Sequence, residues 1–145
     1  MRLIIQKVVE ASVTINGIIY SSIDEGLLCY VAFCDSDNKD DFEWVIQKIL
    51  NLKIFINSKS LKDKNASILV VSQFTLFGSV KKGNKPSWSK ASKPKDAKKM
   101  YNNFISCIRN YKIDNIKTGI FGSDMKVNST NDGPYTLIID TKNKE

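Results

Sequence analysis

Apolar and polar residues alternate from the start of the chain in the two-residue rhythm of a strand. Residues 3–9 are rich in β-branched side chains and predict a strand. Residues 11–15 continue it, with Val13 and Ile15 on one face. Asn16-Gly17 is the dipeptide of a type I′ hairpin turn, and Ile18-Ile19-Tyr20 is the returning run. Asp24-Glu25-Gly26 predicts a turn. Residues 27–33 form an unbroken apolar run, short enough for a buried central strand. Residues 35–39 are a polar loop able to cap a helix. From Asp40 the rhythm becomes helical, with Phe42, Val45, Ile46, Ile49 and Leu50 on one side. Asp40, Asp41 and Glu43 fall in its first turn, where negative charge suits the helix dipole. Residues 53–56 predict a short strand, 57–65 a polar loop and 67–72 a second buried strand. Beyond a lysine-rich loop, Pro94 suits the first turn of another helix. Its apolar stripe is Ala97, Met100, Tyr101, Phe104, Ile105 and Ile108. Residues 116–121 and 125–128 predict two strands separated by Gly122-Ser123-Asp124. Residues 135–140 predict the last strand and 141–145 a frayed tail. Many strands with two helices make a mixed, β-rich α/β fold.

At 145 residues the chain predicts one domain, spanning 1–145, large enough for a hydrophobic core. The start of the chain is interrupted by Arg2, Gln6, Lys7 and Glu10 and does not read as a signal peptide. No apolar run approaches the ~20 residues of a membrane span. Three cysteines, Cys29, Cys34 and Cys107, are odd in number and lack metal-binding spacing. Reduced thiols in the cytosol are the expectation, with Cys29 in the core and no membrane partner.

Charge and a missing residue type sharpen this picture. The net charge is +7, from 22 basic and 15 acidic residues. Residues 81–99 hold eight lysines and one acid, Asp96, so this segment alone carries +7 and the remainder balances. A local basic patch suits an anionic partner such as RNA phosphates; a solvated lysine-rich loop gives the same pattern. The chain contains no histidine. Ser-His-Asp and Cys-His catalysis are excluded, as are the common His-containing zinc sites. Catalysis near neutral pH then rests on backbone donors, hydroxyls, carboxylates, lysines or the substrate itself. No metal and no cofactor are expected.

Two short segments stand out. Asn131-Asp132-Gly133-Pro134-Tyr135-Thr136 joins two conformational punctuators to the last apolar run. Locally it is a turn that opens a strand. Ser72-Gln73-Phe74-Thr75-Leu76 ends the second buried strand. Read as residues alone, Ser72, Gln73 and Thr75 are polar groups at a strand end, where hydroxyls bond the backbone. Phe121 and Met125 equally suit a core.

Together these segments resemble the D-aminoacyl-tRNA deacylase family. Ser72-Gln73-Phe74-Thr75-Leu76 meets its Ser-Gln-x-Thr-Leu motif. Asn131-Asp132-Gly133-Pro134-Tyr135-Thr136 meets Asn-x-Gly-Pro-Val-Thr with one departure. The likeness extends to Lys82-Gly83-Asn84-Lys85-Pro86-Ser87-Trp88, to 118–125 and to the first eight residues, in order along nearly the whole chain. The resemblance implies a β/β/α layered fold. It also implies a homodimeric hydrolase of the ester between a D-amino acid and the 3′-terminal adenosine of tRNA. In that family the two motifs meet at the dimer interface. The Gly-Pro peptide is cis, and its carbonyls enter the partner's active site and leave no room for an L side chain. Glycine passes the same filter.

Mapped onto this chain, the resemblance implies a catalytic set of Thr75, Gln73 and Ser72. It implies substrate contacts from Phe74, Gly133, Pro134, Phe121, Met125 and Lys7. Lys81, Lys82, Lys85 and Lys90 are candidates for acceptor-stem phosphates. An activated ester needs positioning and oxyanion stabilisation more than a strong base. Backbone N–H groups near Phe74-Thr75 and the terminal ribose hydroxyl suit that task. Thr75 reads as nucleophile or as positioning group; a nucleophile needs a base, and none is visible. Two positions depart from the family pattern. Tyr135 replaces the usual Val, and Lys7 the usual Arg, losing the planar fork that would hold the Gly-Pro loop. A relaxed loop favours a second reading, a deacylase mainly for glycyl or achiral mischarges. A third reading is a non-catalytic RNA-binding module.

Overall fold

The computed structural model describes residues 1–111 and 113–144. Its centre is one long strand, β1 (Arg2–Ile15), whose two halves serve different layers. Residues 2–8 pair antiparallel with β3 (Gly26–Ala32). Residues 11–15 pair with β2 (Ile18–Ile23) across the Asn16-Gly17 turn. Both turn residues have positive φ, 51° and 78°, as the hairpin type requires. On its other edge β1 pairs along most of its length with β6 (Lys126–Asp140). The sheet continues from β3 through parallel neighbours β4 (Ser67–Ser72) and β5 (Ile116–Thr118).

The apolar runs follow from burial on both faces of β3 and β4. Leu27, Cys29, Val31, Ile68 and Val70 turn one way, into a core closed by α1 (Lys39–Asn51) and α3 (Pro94–Arg109). Leu28, Leu69 and Val71 turn the other way, against Val8, Ala11, Val13 and Ile23. The far half of β1, with β2 and the start of β6, is thus folded over the back of the central strands. The result is the β/β/α layering. Phe33, Phe42 and Phe104 meet edge to face with ring centroids 5.7–6.2 Å apart in the helix-side core. Burying one such ring contributes about 1.5–3 kcal/mol. Burial pushes the Cys29 thiol up to about 12, so it acts as a neutral core group.

The helices form where their periodicity predicts. Asn38 caps α1, accepting from the N–H groups of Asp40 and Asp41, while Asp41 returns a bond to the Asn38 N–H. Pro94 opens α3. Elsewhere the structure corrects the local reading. Residues 53–56 are not a strand: Phe55 makes a lone bridge to Lys59, and the chain turns through Ile56–Ser58, with Asn57 and Ser58 at positive φ. The expected loop 57–65 contains a one-turn helix, α2 (Leu61–Lys64), capped by Ser60. Strand β5 stops at Thr118, short of 121. The two expected strands 125–128 and 135–140 are the ends of the single strand β6. The tail is tied at Thr141, whose N–H donates to Met1, and at Lys142, which pairs with Asp41 at 2.6 Å. Residue 145 lies outside the described residues.

The segment 131–136 is therefore a bulge inside a strand. Gln6 pairs with Thr136 and Val8 with Asn131. Asp132, Gly133, Pro134 and Tyr135 all stand opposite the single residue Lys7. Gly133 has φ +115°, a value that side-chain-bearing residues rarely adopt, and the Gly133–Pro134 peptide is cis.

Candidate active site

Strand β4 delivers Ser72 to the edge of a cavity of about 630 Å³. The Gln73 N–H still reaches Val31 O at 2.7 Å, so the chain leaves the sheet only after it. A 3-10 turn, Phe74–Phe77, follows. Its first internal bond runs from Leu76 N–H to Gln73 O, which leaves the N–H groups of Phe74 and Thr75 ahead of it. Arg2 pins the turn: its guanidinium donates to Leu76 O at 3.1 Å, lies 4.8 Å above the Phe77 ring and pairs with Asp140 at 2.7 Å. Burial alone would raise the Asp140 carboxyl. The hydrogen bonds from Arg2 and from the Lys142 N–H outweigh it and hold Asp140 below the usual carboxylate range.

Five of the predicted site residues, Ser72, Gln73, Phe74, Phe121 and Met125, line this one cavity. They come together because β5 lies beside β4 and the chain then turns at 119–125 over the end of the sheet. Beneath it, Tyr101 donates to Val70 O at 2.9 Å and its ring tilts against Phe121, 5.7 Å between centroids. Burial raises the Tyr101 phenol above its ordinary range, so it remains a neutral donor.

Thr75 is exposed and does not line the cavity. Its hydroxyl accepts a hydrogen bond from the Gln73 side-chain amide. Lys7, Gly133 and Pro134 also lie outside it. Lys7 is 13% exposed and bonds Asp132 at 2.6 Å, tying β1 to the bulge. Lys81, Lys82 and Lys85 are exposed on a loop closed by paired bonds between Ser79 and Ser87, and Lys90 is exposed just beyond it. None of the four forms an ion pair among the described residues.

The structure adds residues that sequence reasoning did not single out. Trp88 stands edge-on to Phe74, with centroids 5.4 Å apart, as part of the cavity wall. Gly78 makes this approach possible, since a Cβ there would sit 2.5 Å from the Trp88 ring. Lys93 and Asp124 add a cation and a carboxylate to the lining. Trp88 belongs to the quoted motif, but no local pattern announces its contact across fourteen residues with Phe74. The arrangement offers an apolar, aromatic-walled space for a planar group, with hydroxyl, amide and backbone donors at its edge.

The class is thus a β/β/α-layered protein with a nucleoside-sized cavity at the end of a parallel strand. The family model described as D-Tyr-tRNA(Tyr) deacylase matches residues 4–140, and the chain belongs to that family of aminoacyl-tRNA ester hydrolases. It is 50% identical to the D-aminoacyl-tRNA deacylase of Flavobacterium psychrophilum and 45% identical to that of Bacteroides fragilis (strain YCH46). Both alignments cover 100% of each chain. Among solved structures it is similar to a c-Myc DNA Unwinding Element Binding Protein, with TM-score 0.92 and 38% identity over 97% of this chain and 98% of that one. A probable eukaryotic D-amino acid tRNA deacylase shares the fold at TM-score 0.82 and 20% identity, over 95% and 97%.

Proposed function

We propose that this protein hydrolyses the ester joining a D-amino acid, or glycine, to the 3′-terminal adenosine of tRNA. The observation that carries the reading is the convergence of Ser72, Gln73, Phe74, Phe121 and Met125 on one cavity of about 630 Å³, within the usual range for small-ligand sites. The adenine lies among Phe74, Trp88, Phe121 and Met125, as RNA ends are held by stacking and apolar contact. The ester carbonyl faces the N–H groups of Phe74 and Thr75, which stabilise the oxyanion. A water oriented by the terminal ribose hydroxyl adds to the carbonyl carbon. The bond to the ribose oxygen then breaks, that oxygen takes a proton, and free tRNA and the amino acid leave. Ser72, Gln73 and Thr75 position the groups; no side chain forms a covalent intermediate.

Chirality is read by the Gly133–Pro134 bulge of a second copy of the chain. Two observations support the dimer: the bulge stands outside the cavity of its own protomer, and among the described residues the outer edge of β6 pairs with no strand, with Ile138 75% exposed. Backbone carbonyls of the bulge then occupy the space an L side chain would need, while a hydrogen or a D side chain fits. Lys7, through Asp132, holds the bulge in place. Exposed Lys81, Lys82, Lys85 and Lys90 take acceptor-stem phosphates. Such a substrate belongs to translation, so the reading puts the work of the protein in the cytosol.

The test is hydrolysis of D-Tyr-tRNA, Gly-tRNA and L-Tyr-tRNA by the purified protein. Turnover of the first two with the third intact is expected. No cleavage of the D-ester overturns the reading. Tight binding of all three without turnover instead supports a nucleic-acid-binding module, the reading that the lysine segment favours on its own.

A further inference from the structure

A second cavity, of about 410 Å³, lies along α3 on the far side of Phe121. Phe121 belongs to both walls, so the two spaces adjoin at one residue. Helical spacing brings Lys98, Asn102 and Ser106 with Arg109 to one side of this groove. Residues 118–120 also line it. Tyr20, from β2, also lines it and is 51% exposed. Among the described lining residues are two cations and no carboxylate. Tyr101 lines it too, but its hydroxyl is already committed to Val70 O.

An exposed ring for stacking, an amide and a hydroxyl able to bond base edges, and two cations are the chemistry of a single-stranded nucleotide site. Lys93, at the N-cap of α3, lines the first cavity and Lys98 the second, so each cavity has a cation from this helix or its cap. We propose that this groove holds the nucleotide immediately 5′ of the terminal adenosine, its base stacked on Tyr20 and its phosphate between Lys98 and Arg109. The proposal rests on the adenosine reading of the first cavity. It adds a subsite that makes the enzyme sensitive to how much of the RNA strand accompanies the ester. Because the contacts are stacking and charge, the subsite discriminates weakly among bases.

Two substrates separate the subsite from the main site: D-tyrosyl-adenosine, and the same ester on the dinucleotide cytidylyl-adenosine. The wild-type protein should prefer the dinucleotide ester in kcat/KM by roughly tenfold, the scale of one stacked base. Tyr20→Ala and Arg109→Ala, both exposed positions, should each remove most of that preference through KM. Activity on D-tyrosyl-adenosine should stay unchanged, and Tyr20→Phe should keep the preference. Equal rates on both esters in the wild type, or a preference untouched by both alanine variants, would overturn the proposal. If neither ester is hydrolysed, turnover of D-Tyr-tRNA decides the deacylase reading, and calorimetric binding of free cytidylyl-adenosine against adenosine decides the groove. Tighter dinucleotide binding lost in Tyr20→Ala supports it; equal binding rejects it.

Discussion

The Gln73 side-chain amide donates to the Thr75 hydroxyl, and that bond limits what Thr75 can do. A threonine nucleophile needs a base to take its proton. Here the hydroxyl oxygen meets an amide donor, and no carboxylate or amine bonds it among the described residues. Positioning is the role this geometry suits: Gln73, which lines the cavity, is steadied by a hydroxyl outside it. Thr75→Ala should therefore lower kcat/KM for D-Tyr-tRNA by no more than about tenfold, ~1.4 kcal/mol of transition-state stabilisation. Steady-state kinetics on the folded variant checks this; abolition of turnover with unchanged circular dichroism would make Thr75 the nucleophile. Lys7 shows a similar economy of means. A guanidinium would hold the bulge with a planar fork, whereas the ammonium holds Asp132 at a single point of 2.6 Å.

At the level of elements, the turn Phe74–Phe77 depends on how closely Trp88 approaches it. A Cβ at Gly78 would meet the Trp88 ring at 2.5 Å and Thr75 O at 2.9 Å. Gly78→Ala should push Trp88 off Phe74, raising KM for aminoacyl-tRNA several-fold while the melting temperature moves by only a few degrees. A KM equal to wild type would show that Trp88 is not part of the substrate wall. Elements with a strong local period were legible in the sequence. Strands β3 and β4 announced themselves by apolar runs buried on two faces, and α1 and α3 by their stripes and first turns. Residues 53–56 have strand-like side chains but, among the described residues, no strand partner beyond the lone Phe55–Lys59 bridge, so local propensity misled. Strand β6 failed in the opposite sense. Asn131-Asp132-Gly133-Pro134 carries the chemistry of a turn, yet β1 pairs on both sides of it and keeps the strand running. The candidate site divides along the same line. Ser72 to Phe74 stood out through a contiguous motif, whereas Trp88, Lys93 and Asp124 enter the cavity through contacts between distant segments.

Charge and symmetry act on the whole molecule. The lysines of 81–90 form no ion pairs among the described residues and balance no neighbouring acid, so their charge is available to a partner. Replacing Lys81, Lys82, Lys85 and Lys90 together by Gln should raise KM for D-Tyr-tRNA at low salt with kcat little changed. It should also flatten the dependence of log KM on log salt by about 3.6, near 0.9 unit for each of four phosphate contacts. An unchanged slope would remove these residues from the RNA surface. The bulge at 131–136 makes a stronger demand, because it lies outside the cavity of its own chain. If it works on a partner's cavity, loop and cavity defects must complement each other across a symmetric dimer. Gly133→Val strains a backbone at φ +115°, and Gln73→Ala strips the cavity edge. Each variant alone should lose D-Tyr-tRNA turnover. After subunits of the two are mixed and exchanged, half the dimers are mixed, and each mixed dimer has one site with both parts intact. Activity should therefore return to about a quarter of the wild-type value at equal total protein. A bulge acting within its own protomer leaves every site defective, and the mixture would stay as inactive as its components.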